Sequence, residues 1–132
     1  MKLYMEENNL FEYAIIRIVP RVEREEFLNI GIIIFCKKTG FLQTKYNLDE
    51  QRLQSLYVSL DVNEVKDHVE AFKQIAVGNG SAGPIAALDA ASRFRWLTAK
   101  RSTIVQTSAV HPGLSADIDI TLERLFNQLV LN

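Results

Sequence analysis

The sequence predicts an α+β fold: an antiparallel sheet of about four strands, opening with a three-stranded meander, and about four helices, in the order βββ-ααα-β-α. Three observations predict it. Residues 11 to 46 hold three β-branched and aromatic runs separated by turn residues. After residue 49 the apolar period changes from that of a strand to that of a helix. Residues 116 to 131 close the chain as an amphipathic helix. With 132 residues, a single domain spanning 1–132 is expected, its residues 1–10 a loose N-terminal segment.

The elements follow in order. "FEYAIIRIV", residues 11 to 19, is β-rich and stopped by Pro20; "FLNIGIIIFC", 27 to 36, repeats the character and is followed by the turn "KKTG". "FLQTKY", 41 to 46, alternates like a half-exposed strand. The middle strand is apolar on both faces, so both faces should be covered. Leu53, Leu56, Tyr57 and Leu60 predict a short helix over 49 to 60. "DVNE" at 61 to 64 has the form of a capping box, and Val62, Val65, Val69, Phe72 and Ala76 form the stripe of the helix behind it. His68 lies at the edge of that stripe, as a packing residue at the boundary rather than a ligand. "GNGSAGP", 78 to 84, reads as a mobile loop. It lacks the Gly-Lys-Ser/Thr ending of a phosphate loop and follows no predicted strand. Pro84 should open a third helix, "PIAALDAASRFRWL". "STIVQTS", 102 to 108, reads as the fourth strand, "HPG" as a turn, and Ile118, Leu122, Leu125, Phe126 and Leu129 as the stripe of the last helix.

The totals exclude some functions. The apolar fraction, 48%, and the charged fraction, 23%, are those of an ordinary globular protein. A net charge of -1 argues against a general duplex-DNA or membrane-surface binder, which needs an overall basic balance. The single cysteine, Cys36, sits in an apolar run and reads as a core residue. One cysteine and the distant His68 and His111 assemble no metal site, and no cofactor is implied. No secretion signal or apolar run of membrane-spanning length is visible, so a soluble, cytoplasmic protein is expected.

Charge is nevertheless segregated. Residues 49 to 70 hold six acids and two bases, whereas Arg93, Arg95, Lys100 and Arg101 fall within nine positions around Trp96. On a helix, Arg93 and Lys100 share a face with Trp96, an arrangement suited to stacking a base or another planar anion, which makes the set a candidate anion- or partner-binding patch. The helix dipole alone accounts for Lys100 and Arg101, at about 0.3–1 kcal/mol each, but less well for Arg93 and Arg95. A second polar cluster lies in the first hairpin. If residues 17 and 29 pair, Arg17 and Asn29 project from one face, followed there by 11, 13 and 15 and by 31, 33 and 35. Glu25 or Glu26 as a partner for Arg17 would make the set structural; otherwise it is one wall of a polar pocket whose other wall is the basic helix end. For catalysis only His111 offers a general base. No nucleophile can be tied to it, and a lone histidine before proline is most often a turn residue.

In combination these stretches resemble a bacterial family, domain of unknown function 3037. The resemblance covers nearly the whole chain. It is carried by Tyr13 and Arg17, by Arg24, Glu26, Phe27, Asn29 and Gly31 in "REEFLNIG", by Arg101, Ser102 and Thr103, and by His111 and Gly113. Lys100 stands where many members have proline, which implies a local difference at the helix end. The family carries no established activity. Its members' frequent encoding beside HipA-like kinase proteins implies a protein partner or a shared regulatory pathway. The expected function is therefore a small protein-binding or regulatory module, not an enzyme, associated with a HipA-like kinase. The alternative is nucleic-acid or nucleotide binding through the Arg/Trp patch, with or without hydrolysis. An enzyme using His111 on an anionic substrate has the least behind it. The two polar clusters, Arg17–Asn29 and Arg101–His111, are expected to meet around one site.

Overall fold

The computed structural model describes residues 8–131. It is an α+β fold in which a five-stranded antiparallel sheet separates two groups of helices. β1 (Asn9–Ile18), β2 (Leu28–Cys36) and β3 (Phe41–Tyr46) form the meander. α1 (Glu50–Leu56), α2 (Val62–Val77) and α3 (Ala90–Thr98) follow. β4 (Val105–Thr107) and β5 (His111–Ser115) both pair with β1, giving the order β3-β2-β1-β4 with β5 further along β1. α4 (Ile118–Phe126) runs on into a π-helical turn, Asn127–Leu131.

Two cores result from the alternation of the strands. Ala14, Ile16, Ile18, Ile33 and Phe35 face α1–α3, packing on Leu53, Val65, Val69 and Phe94. Phe11, Ile32, Ile34 and Cys36 face α4, packing on Ile118, Leu122, Leu125 and Phe126. Ile32, Ile33 and Ile34 are all fully buried, as a strand apolar on both faces requires. At about 25 cal/mol per Å² of apolar surface removed from water, these two layers dominate the stabilisation. Cys36 is a free, buried thiol.

The register contains the first correction. Arg17 does pair with Asn29, but Ile16 pairs with Gly31, so Ile30 is an extra residue on β2. This bulge puts two successive residues on the same side of the strand and reverses the alternation beyond it. Tyr13 and Ile15 therefore share a face with Ile34 and Ile32, not with residues 31, 33 and 35. Gly31 is required there: a Cβ would lie 2.6 Å from the Lys45 carbonyl oxygen and 2.7 Å from the Tyr46 Cβ.

Other boundaries also move. β1 begins at Asn9, so residues 9 and 10 are strand rather than loose, and residues 1–7 of that expected segment lie outside the described residues. α1 ends at Leu56 because Tyr57 turns extended, although Leu60 remains buried. α2 starts as expected, with the Asp61 carboxylate accepting from the Asn63 and Glu64 amides, and stops at Gly78 in the left-handed conformation. Within residues 78–84, Asn79 caps a 3₁₀ turn, Gly80–Ala82. The third helix does not start at Pro84. A 3₁₀ turn, Ile85–Ala87, is broken by extended Leu88, and Asp89 then caps α3 by accepting from the Ser92 amide at 2.7 Å. The fourth strand contracts to Val105–Thr107, and "HPG" is not a turn but the first part of β5. Ser108 joins the two short strands: its hydroxyl accepts from the Ile15 amide at 2.8 Å, and its own amide donates to the Ile15 carbonyl at 2.9 Å.

Candidate functional site

β4 is the edge of the sheet beside Arg17, and its Gln106 pairs directly with Arg17. Three adjoining hollows run along this edge. The first, of about 170 Å³, lies between α2, α3 and β4, with Phe72, Ile75, Leu97 and Val105 as its apolar walls and Trp96 and Arg101 at its rim. The second is bounded by Val22, Lys100, Arg101, Ser102 and Gln106. The third is bounded by Arg17, Val22, Glu25, Phe27 and Gln106. Arg101 and Gln106 belong to the first two, Val22 and Gln106 to the last two, so the hollows form one groove.

Each of its two arginines lies on an aromatic ring. The Arg17 guanidinium carbon is 4.0 Å from the centre of the Phe27 ring, and that of Arg101 is 4.0 Å from the centre of the Trp96 ring. Such stacking fixes a guanidinium plane and leaves its edge free to donate. Arg101 spends one donor on the Trp96 carbonyl at the end of α3, which the helix dipole favours. Arg17 differs. Its Nε is buried without a hydrogen-bond partner among the described residues, and desolvation lowers its pKa. A buried donor left unpaired costs on the order of 1–3 kcal/mol.

The remaining candidates separate. Glu26 is taken by Arg24 at 2.7 Å in an exposed pair, so it does not neutralise Arg17; Glu25 only lines the same hollow. Asn29, directly opposite Arg17, donates to the Leu129 carbonyl at 3.4 Å on the α4 side of the sheet. Arg93 borders none of the hollows. It donates to the Leu88 carbonyl at 2.7 Å and to the Ala76 carbonyl at 3.4 Å, tying the start of α3 to the end of α2. Arg95 is exposed on α3 and borders none of the three hollows. His111 pairs with Tyr13, their rings 5.4 Å apart. At about 3.4 Å per residue, that is roughly 13 Å along β1 from Arg17. Gly113 sits under Phe11, where a Cβ would lie 2.5 Å from the ring. His68 is on the rim of the first hollow, 3.6 Å from Glu64. No group of three or more His, Cys, Asp or Glu residues suited to a metal occurs among the described residues.

Thus Arg17, Trp96, Lys100 and Arg101 meet along one groove, and Arg93, Arg95, Asn29 and His111 border none of its hollows. Gln106 and Val22, which join the hollows, went unmarked in the sequence reading. The polar Gln106 inside "IVQTS" was the one available signal.

The family model described as "Protein of unknown function (DUF3037)" matches residues 13–130. The chain belongs to that family. No curated protein and no solved structure matches the chain. In this DUF3037 member the family motif divides by task. Gly31 and Gly113 permit close approaches of strands and rings, Arg24 and Glu26 pair with each other, and Arg17, Phe27, Arg101 and Ser102 border the groove. No helix among the described residues is long and apolar enough to cross a membrane.

Proposed function

We propose that this DUF3037 protein is a protein-binding module whose groove receives an acidic segment of its partner. The observation that carries the reading is Arg17: a desolvated guanidinium, stacked on Phe27, with a buried Nε–H that has no acceptor among the described residues. A carboxylate accepting from it sideways would satisfy that donor and neutralise the charge. Lys100 and Arg101 continue the positive lining, and arginine with tryptophan is the composition of interface hot spots. The partner proposed from the family's gene neighbourhood is a HipA-like kinase, with the module acting on it as a regulator rather than as an enzyme. Nucleic-acid binding is less well supported, because Glu25 faces the same groove and the chain's net charge is -1.

The reading is tested by sedimentation of the protein with the purified kinase-like partner, and by fluorescence anisotropy with a labelled acidic peptide and a labelled single-stranded oligonucleotide. Arg17→Met keeps the stem on Phe27 and removes the charge. It should weaken peptide binding about tenfold, as expected for losing a charged hydrogen-bonded contact of about 1.5 kcal/mol. Tight oligonucleotide binding that collapses as salt rises, with none to the peptide, would replace this reading by the nucleic-acid one.

A further inference from the structure

The first hollow differs from the other two in what it offers. Its apolar walls are Phe72 and Ile75 of α2, Leu97 of α3 and Val105 of β4, and its polar groups are His68, Arg101, Thr103 and Gln106. Its volume, about 170 Å³, decides what fits. Small-molecule sites usually hold about 300–1,000 Å³, whereas a cavity of about 150 Å³ takes one benzene. The hollow is therefore the size of one apolar side chain. It opens outward, since Ala71, Trp96 and Ala99 on its rim are exposed.

Side chains already cross this edge: the Val105 carbonyl accepts from the Thr103 hydroxyl at 2.7 Å, and the Thr107 hydroxyl donates to the Thr98 carbonyl at 3.4 Å.

We propose that the partner segment anchors one leucine- or phenylalanine-sized side chain in the hollow between α2, α3 and β4, with an acidic residue beside it on Arg101 and a second toward Arg17. The inference rests on the acidic-segment reading and specifies it: the recognised element is a short acidic motif with one fixed apolar position, not a diffuse run of acids. Arg101 enforces the adjacency, because it borders both the apolar hollow and the cationic one. The anchor would add burial of apolar area to the charge contacts, and it would supply what charge alone lacks, a defined register.

The experiment is selection of a random twelve-residue peptide library on the immobilised protein, followed by anisotropy on the selected peptides. Expected is a consensus of acids around one leucine, phenylalanine or similar residue. Acids selected with no fixed apolar position would overturn the anchor and leave the anionic groove standing. Selection without acids would overturn the groove reading itself. A second arm uses Ala71→Phe, an exposed helical substitution that projects a ring across the hollow. The variant should keep the wild-type melting temperature and bind the consensus peptide at least tenfold more weakly. The same peptide with its anchor changed to alanine should bind both proteins equally. Undiminished binding of the consensus peptide to Ala71→Phe would sink the proposal.

Discussion

At one end of β1 the five residues of β5 pair with it, at the other the three residues of β4 do, and motif residues are put to opposite uses at the two ends. Along β5 the motif residues pack on the rings of β1. Phe11 covers Gly113 so tightly that no side chain fits beneath the ring, and Tyr13 leans on His111. Along β4 both arginines lie on a ring face, Arg101 with a bond to the Trp96 carbonyl as well, and one buried N–H of Arg17 is left without an acceptor among the described residues. The first end lowers the free energy of the folded chain. The second holds a buried donor unpaired among the described residues, at a cost. Residues singled out by one motif thus serve two economies, and a motif match by itself does not tell them apart.

Substitutions that separate folding from binding sharpen this contrast. The largest effect is expected at Gly31. An alanine Cβ would meet backbone at 2.6 Å, which cannot yield as a side chain can, so Gly31→Ala should cost about 3 kcal/mol in a urea titration. Gly113→Ala should cost less, about 1–2 kcal/mol, because the Phe11 ring it meets can swing aside. Loss of ring packing would appear in the near-ultraviolet circular dichroism. If Gly113→Ala left stability unchanged and abolished peptide binding, the division between the two ends would be broken.

A smaller effect is set by pH at the α3 end. The Ser92 amide and hydroxyl, bonded to Asp89, hold its carboxyl below the ordinary 3.8. A folded value below the unfolded one gives stability that is present above the unfolded pKa and is lost as pH falls through the folded one. The melting-temperature gap between wild type and Asp89→Ala should therefore be full at pH 6 and close below about pH 3.8. A gap independent of pH would mean that the cap acts without its charge. The smallest effect on stability belongs to Arg17→Met. Removing an unsatisfied donor while keeping the stem should change the unfolding free energy by less than about 0.5 kcal/mol, even as binding falls. A large loss of stability there would place Arg17 with the structural end.

Much of this was legible in the sequence because local rules decided it. The meander, the Asp61 cap, the covered middle strand and the stripe of α4 follow from period and capping chemistry. What was not legible depended on non-local contacts. The bulge at Ile30 lies beside the close approach of β3 to Gly31, and a pairing rule extended past it put residues 31, 33 and 35 on the wrong face. "HPG" has turn composition, but pairing with Phe11, Glu12 and Tyr13 draws it into a strand, where the edge position tolerates Pro112. At the site, clustering in sequence suggested that Arg93 and Arg95 belong with Trp96. Helical geometry sends Arg93 back to the carbonyls of Leu88 and Ala76, and Arg17 arrives from far earlier in the chain instead.

The hydroxyl of Ser108 reaches the amide of a residue 93 positions earlier, and this separation governs how the chain emerges during synthesis. β1 can zip to β2 as soon as the hairpin is made. Its opposite edge then waits for residues 105 to 115. At about 5–20 residues per second, a strand edge stands bare for roughly 4 to 16 s before its own chain covers it. Helices α1 to α3 form in that interval and shield one face, but a sheet edge is open to pairing in its plane. For this chain the hazardous moment is thus late elongation, and the short, interrupted strand that ends it is what makes the sheet safe.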